Sequence, residues 1–163
     1  MRGRGAGRGA GDPTERRTGG VYRAAMAASA TPGPARDVVD GYIRALDGET
    51  RRVAVDEWGI SLEAAGWPLH VGVALRDGLL RAQAEVAEPG RLPAEAVLRW
   101  NRGLPLVRFS HTGAGHLYVE GSLPVEAVSE RRLDGFLGLL VRVATQAREA
   151  ARAGAPEPER ERP

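Results

Sequence analysis

Cysteine and lysine are both missing from this chain of 163 residues, so all 23 basic side chains are arginine. Without lysine there is no Walker A phosphate loop, no Schiff-base amine and no lysine general base. Without cysteine there are no disulfides, thiolate zinc sites, iron–sulfur clusters or cysteine nucleophiles. Aromatic residues make up only 5%. No apolar run approaches the roughly 18–20 residues that a membrane helix needs. A GxSxG elbow is absent, and the N-terminal glycines never complete a GxGxxG, so neither a serine hydrolase nor a dinucleotide loop is indicated. No disulfide is needed for stability, so a cytoplasmic location is the default expectation.

What remains is an ordinary globular balance, 42% hydrophobic and 27% charged, at a length that favours one domain with tails. The pI near 9.6 overstates the basicity, because the net charge is only +2. Residues 1–35 hold six arginines against Asp12 and Glu15, which leaves the other 128 residues at −2. A near-neutral body gives no general case for nucleic-acid binding. Any such case rests on Arg2, Arg4, Arg8, Arg16 and Arg17 of an arginine–glycine arm. Such an arm would grip phosphates and make binding strongly salt-dependent. The same segment also reads as a plain low-complexity extension, with too little apolar surface to offset the entropy of ordering it. Met26, close before the domain, offers an alternative start of translation. VYRAAMAASA resembles a signal peptide only superficially, because Arg23 interrupts a weak apolar block.

From Asp37 to Gly48, Val38, Val39, Tyr42, Ile43 and Leu46 recur on one helical stripe. Strand patterns follow. Val53 alternates with Val55, and Ile60, Leu62 and Ala64 follow Trp58-Gly59. Leu69 to Leu75 and Leu80 to Val86 then alternate cleanly, with turns at Gly66-Trp67-Pro68 and Asp77-Gly78. Period-two alternation over successive hairpins marks an antiparallel sheet with one covered face. The stretch Leu92–Pro124 organises the rest. Pro93 suits the first turn of a short helix and Gly103 the position just past its end. LPLVRFS and HLYVEGS then flank a Thr112-Gly113-Ala114-Gly115 hairpin loop. A final helix to Ala150 carries Leu133, Phe136, Leu137, Leu140, Val141 and Ala144 on one stripe. Gly135 and Gly138 inside it each cost about 1 kcal/mol relative to alanine, which predicts close backbone approach to the sheet or to another subunit. Residues 151–163 read as a charged, proline-rich tail.

Few residues suggest chemistry. His111 and His116 flank the hairpin loop, but no third ligand stands at a metal-binding spacing. His70 sits on the outward phase of its strand. Ser110-His111 and Asp56-Glu57 are neighbours on extended backbone, so their side chains point to opposite faces. Trp100-Asn101-Arg102 is the most distinctive triplet. Tryptophan there anchors a helix on the sheet, and asparagine at a helix end bonds nearby backbone. Trp58, Trp67 and Trp100 read as core or interface anchors. No catalytic, cofactor-binding or metal residue is assigned.

The motifs LLRAQAEVAE, VLRWNRGLPLVRFS, HLYVEGSLP and RLDGFLGLLVRVA resemble the bacterial YbjN-like family, over about residues 36–150. The family's fold is similar to that of type III secretion chaperones. The resemblance implies an α+β domain with an antiparallel β-sheet of about five strands, helices on one face, in the order α-β-β-β-α-β-β-α. It also implies a non-enzymatic homodimer that binds a segment of another protein, linked to stress responses or regulation. Trp100, Leu106, Phe109, Tyr118, Phe136 and Leu140 are the expected structural or interface positions. The alternative is a nucleic-acid-associated protein acting through the N-terminal arm, which lies outside the resemblance.

Overall fold

A computed structural model describes residues 32–154. The arginine–glycine arm and residues 155–163 of the tail lie outside that range. Helix α1 (Pro32–Arg44) leads into strands β1 (Glu49–Ala54), β2 (Glu57–Ala64), β3 (Trp67–Arg76) and β4 (Leu79–Ala87). Helix α2 (Ala94–Asn101) follows, then β5 (Val107–His111) and β6 (Leu117–Pro124). A single 3₁₀ turn (Val125–Ala127) delivers the chain to helix α3 (Glu130–Ala153). The strands form one antiparallel sheet in the order β1-β2-β3-β4-β6-β5. Helix α1 thus begins within the segment read as extension, and α3 continues three residues into the segment read as tail.

The expected architecture is present, with six strands rather than five. Strand β1 is the segment read from the alternation of Val53 with Val55. That alternation does not mark a covered face. Val53 is 56% exposed and Val55 76%, because β1 lies at the sheet margin and Val55 already belongs to the turn into β2. Trp58 and Gly59, read as preceding the next strand, lie inside β2.

Turn chemistry fixes the hairpins. Ala65-Gly66 joins β2 to β3 and Asp77-Gly78 joins β3 to β4, and all four residues have positive φ. Two consecutive left-handed residues match the right-handed twist of the flanking strands, and glycine takes the second place without steric cost. The first turn therefore sits one residue earlier than Gly66-Trp67-Pro68, and Trp67 and Pro68 are already strand. Register follows from these turns. Trp58, Val73 and Ala82 stand in one inward row, and Ile60, Val71 and Ala84 in the next.

Both long helices cover the same face of the sheet. Val39 and Ile43 of α1, with Leu133, Phe136, Leu137, Leu140, Val143 and Ala144 of α3, are buried against Leu69, Val71, Leu80 and Val119. On α3 the buried stripe includes Val143, while Val141 is only partly covered. Tyr42 links the helices by donating to Asp134 Oδ1 at 3.2 Å. Partial burial, helped by that carboxylate, raises the phenol to about 12.

The glycines of α3 do not make the predicted close approach to the sheet. A Cβ at Gly135 or Gly138 would meet nothing within 4 Å. The close approach occurs on the sheet itself. A Cβ at Gly121 of β6 would lie 2.5 Å from Leu106 O and 2.8 Å from Phe136 Cε2. Only a bare backbone there lets β5 and the Phe136 ring share the space. Gly121→Ala should therefore destabilise the fold by about 1–3 kcal/mol through overpacking. Gly135→Ala should stabilise it by up to about 1 kcal/mol. Urea titration of the two variants measures both signs.

Candidate functional site

A sheet covered on one face leaves an open face and two margins, and the candidate sites lie there. The margins differ. On β5, the α2 residue Asn101 turns its amide onto the strand. Its Nδ2 donates to Phe109 O at 3.1 Å, and its Oδ1 accepts from Phe109 N at 2.7 Å. One side chain thus satisfies both backbone groups that a neighbouring strand would otherwise pair. Trp100 packs on the Phe109 ring, with centroids 5.7 Å apart. The helix reaches this position because Pro93 starts it and Gly103 follows its C-cap at Arg102.

Among the described residues, the β1 margin has no comparable cover. Every residue of β1 except Thr50 is exposed, and β2 is its sheet partner. It carries Arg51, Arg52 and a register irregularity between Arg52 and Ala54. Charge and bulging both restrict indiscriminate strand pairing. Behind β1, Asp40 of α1 accepts from Trp58 Nε1 at 2.7 Å and pairs with Arg52 at 3.2 Å. Arg52 also lies over the Trp58 ring at 5.6 Å. At the turn beside β1, Asp56 pairs with Arg36 at 2.5 Å, which holds its carboxyl below the ordinary range. These contacts fix α1 against the base of the margin.

The open face is shallow and polar. Gly59 and Gly72 are cross-strand partners on it. Gly72, Gln83, Arg81 and Arg108 help line a hollow of about 500 Å³. Its arginines are matched: Arg76 pairs with Glu57, Arg108 with Glu120 at 3.1 Å, and Arg81 with Asp77 at 3.6 Å. Further along, Ser61 Oγ and His70 Nδ1 are 2.9 Å apart. No carboxylate bonds that imidazole among the described residues, so the pair lacks the orienting third group of a nucleophile–base relay. His116 and Tyr118 both bond Glu85, at 2.6 and 3.1 Å, and the imidazole contact is the main reason the carboxyl titrates below its usual range. His111 instead contacts the carbonyl of Thr112. Among the described residues, no group of three or more His, Asp or Glu could hold a metal.

The six positions expected to act as structure or interface separate in space. Phe109, Phe136 and Leu140 are buried in the core and offer no surface for a partner. Tyr118 is partly buried on the open face, tied to Glu85. Only Trp100, at 37% exposure, and Leu106, more than half exposed, reach the surface. Leu98 of α2 is more exposed than either. It was legible as the outward leucine of an amphipathic helix. Trp100, Leu104, Phe109, Val143 and Ala147 line a groove of about 420 Å³.

A family model matches residues 61–153, more than half of the chain. The chain belongs to the YbjN family. The family's description is "Putative bacterial sensory transduction regulator". No curated protein matches. Among solved structures, a chain of the HopA1–SchA chaperone–effector complex superposes with a TM-score of 0.56 at 14% identity, covering 70% of this chain and 92% of its own. A chain from the complex of the Yersinia pestis type III secretion chaperone SycH with a stable fragment of YscM2 gives 0.51 at 17%, covering 72% and 99%. A chain of the ExsC–ExsE complex gives 0.54 at 15%, covering 74% and 95%. At these identities the likeness is one of fold. No helix among the described residues is long and apolar enough to cross a membrane.

Asn101→Ala should cost about 1–3 kcal/mol by stranding the Phe109 amide and carbonyl. Hydrogen exchange at Phe109 N should speed up markedly more than at Val119 in the sheet interior. Equal acceleration at both amides would show a global loss instead of an opened margin.

Proposed function

We propose that this chain is a non-enzymatic, chaperone-like protein, acting in regulation, that holds an extended segment of another protein by adding it as a strand beside β1. The observation that carries this reading is the asymmetry of the two margins. Asn101 closes β5 at Phe109, whereas β1 is exposed along nearly its whole length. An added strand gains affinity from main-chain hydrogen bonds and specificity from alternate side chains. Val53 and Val55 supply exposed apolar contacts, and Arg51 favours a segment bearing a carboxylate. The solved relatives support the reading, because those chains come from chaperone–effector and chaperone–fragment complexes. Val53→Asp with Val55→Asp replaces two exposed side chains, so it should leave folding intact. It should also weaken capture of whatever protein the parent retains from its native lysate by at least ten-fold. Undiminished capture would refute strand addition at this margin.

We further propose that the protein is a homodimer joined through Leu98, Trp100 and Leu106, with residues 36–150 and the adjoining ends of α1 and α3 as the folded unit, and a cytoplasmic location. Three large exposed apolar side chains on one short helix and the segment leading into β5 are an unusual concentration. Sedimentation should give a dimer at tens of micromolar, and Leu98→Asp with Leu106→Asp should give a monomer with unchanged circular dichroism. A monomeric parent would overturn the dimer. Nucleic-acid binding through the arm is the competing reading, and no observation on the described residues favours it.

A further inference from the structure

The faces of β1 are fixed by its partner strand. Thr50 stands opposite Ile60 and Arg52 opposite Trp58, both buried, so Thr50 and Arg52 point toward the helices. Glu49, Arg51 and Val53 therefore lie on the open face. A Cβ at Gly59 would lie 3.2 Å from Arg51 Nε and 3.5 Å from Val53 Cγ2, which places both side chains over that bare glycine. Arg52 is held by Asp40 at 3.2 Å. Among the described residues, neither Glu49 nor Arg51 takes part in an ion pair. A strand added at this margin meets Arg51 best with a carboxylate, and β1 itself carries one two residues away.

Symmetry leaves few ways for two copies of β1 to pair. Identical strands that close on each other run antiparallel about a two-fold axis normal to the sheet. That axis keeps the two faces apart, and directly opposite residues share a face. An odd-numbered residue can therefore oppose only an odd-numbered one, and the axis passes through a residue that meets its own copy. An axis at Glu49 opposes two carboxylates, and an axis at Arg51 or Arg52 opposes two guanidiniums. At Val53 it falls on the irregularity between Arg52 and Ala54, where the regular ladder is interrupted. At Thr50, Glu49 meets Arg51 of the second copy, Arg51 meets its Glu49, and threonine meets threonine on the other face. Opposite charges and paired threonines stabilise adjacent strands, whereas like charges directly opposite destabilise them. One register satisfies every position.

We propose that β1 pairs antiparallel with β1 of a second copy, centred on Thr50, and that this pairing covers the margin until an incoming segment replaces it. Resting on the reading of β1 as a strand acceptor, the pairing supplies its regulation, because a second copy and a partner segment need the same main-chain groups. The regular part of β1 is short, so the contact is weak enough to be displaced, while it shields an edge that would otherwise stay open. It is separate from Leu98, Trp100 and Leu106, since β1 and β5 end the sheet on opposite sides.

The chain has no native cysteine, so a single replacement reports the register. Thr50→Cys should form an intermolecular disulfide under mild oxidation, because directly opposite residues bring their Cα atoms to about 4.5–5.5 Å. Val53→Cys should cross-link far more slowly, since this register sets its two copies on the order of 20 Å apart along the strands. Faster closure through Val53→Cys would overturn the register. In the Thr50→Cys chain, Glu49→Arg opposes arginine to arginine, and Arg51→Glu opposes glutamate to glutamate. Each should slow the cross-link roughly five-fold or more. Mixing these two variants again sets arginine against glutamate at both positions, so the mixed disulfide, identified by mass, should form at about the parent rate. A mixed disulfide no faster than the two self-disulfides would overturn the proposal. Leu98→Asp with Leu106→Asp should leave the Thr50→Cys rate unchanged, and loss of the cross-link there would assign the encounter to the other surface and overturn it. The oxidised Thr50→Cys dimer should also retain several-fold less lysate protein than its reduced form. Equal retention, where Val53→Asp with Val55→Asp does abolish capture, would show that the margin is not covered. If that pair of replacements leaves capture intact, strand addition of a partner fails, and the cross-linking rates still decide the pairing of β1.

Discussion

The packing of Phe136 over Gly121 is the constraint on which the remaining geometry rests. Phe136 is fully buried, and burying such a side chain contributes roughly 1.5–3 kcal/mol. It reaches the sheet at the one position on β6 where no Cβ stands in the way. The same missing side chain lets the backbone at Leu106 come close as the chain enters β5. One glycine therefore sets the height of α3 above the sheet and the approach of the last strand. Close-packed interiors transmit such restrictions, because few voids exist to absorb them.

From that placement follows the difference between the two margins. With β5 held against β6, α2 lies alongside it, and Asn101 can reach both polar groups of Phe109. The sheet is closed on that side by a side-chain amide standing in for a strand. On the other side, α1 braces β1 from behind through Asp40, Arg52 and Trp58 without covering its outer backbone. A sheet with one closed and one open margin has a directional place for an extended partner. This is why strand addition at β1 is favoured over binding on the open face, where matched ion pairs would have to be desolvated.

The same economy of arginine separates the open face from the C-terminal end of α3. A chain without lysine presents all its positive charge as planar forks that suit carboxylates and aromatic rings. On the open face those forks already have carboxylate partners. At the α3 end, Arg148 and Arg152 bond backbone carbonyls and Arg152 lies over the exposed indole of Trp67.

By itself the sequence determined the element types, the antiparallel pairing, the family and most of the inward stripe. These depend on local periodicity and turn chemistry, and Asp77-Gly78 or Leu69–Leu75 can be read without neighbours. It also marked Trp100-Asn101-Arg102 as distinctive and placed Asn101 near backbone it would bond. Tertiary structure decided which backbone, because Phe109 is eight residues away and reached only once α2 folds back on β5. It decided that β1 is a separate, exposed margin, since alternation of Val53 and Val55 reads the same whether or not a helix covers the strand. It likewise decided that Phe109, Phe136 and Leu140 are core while Trp100 and Leu106 are surface. It also moved the close-approach glycine from α3 to Gly121. Periodicity reports which residues share a face, but only packing settles what, if anything, lies against that face.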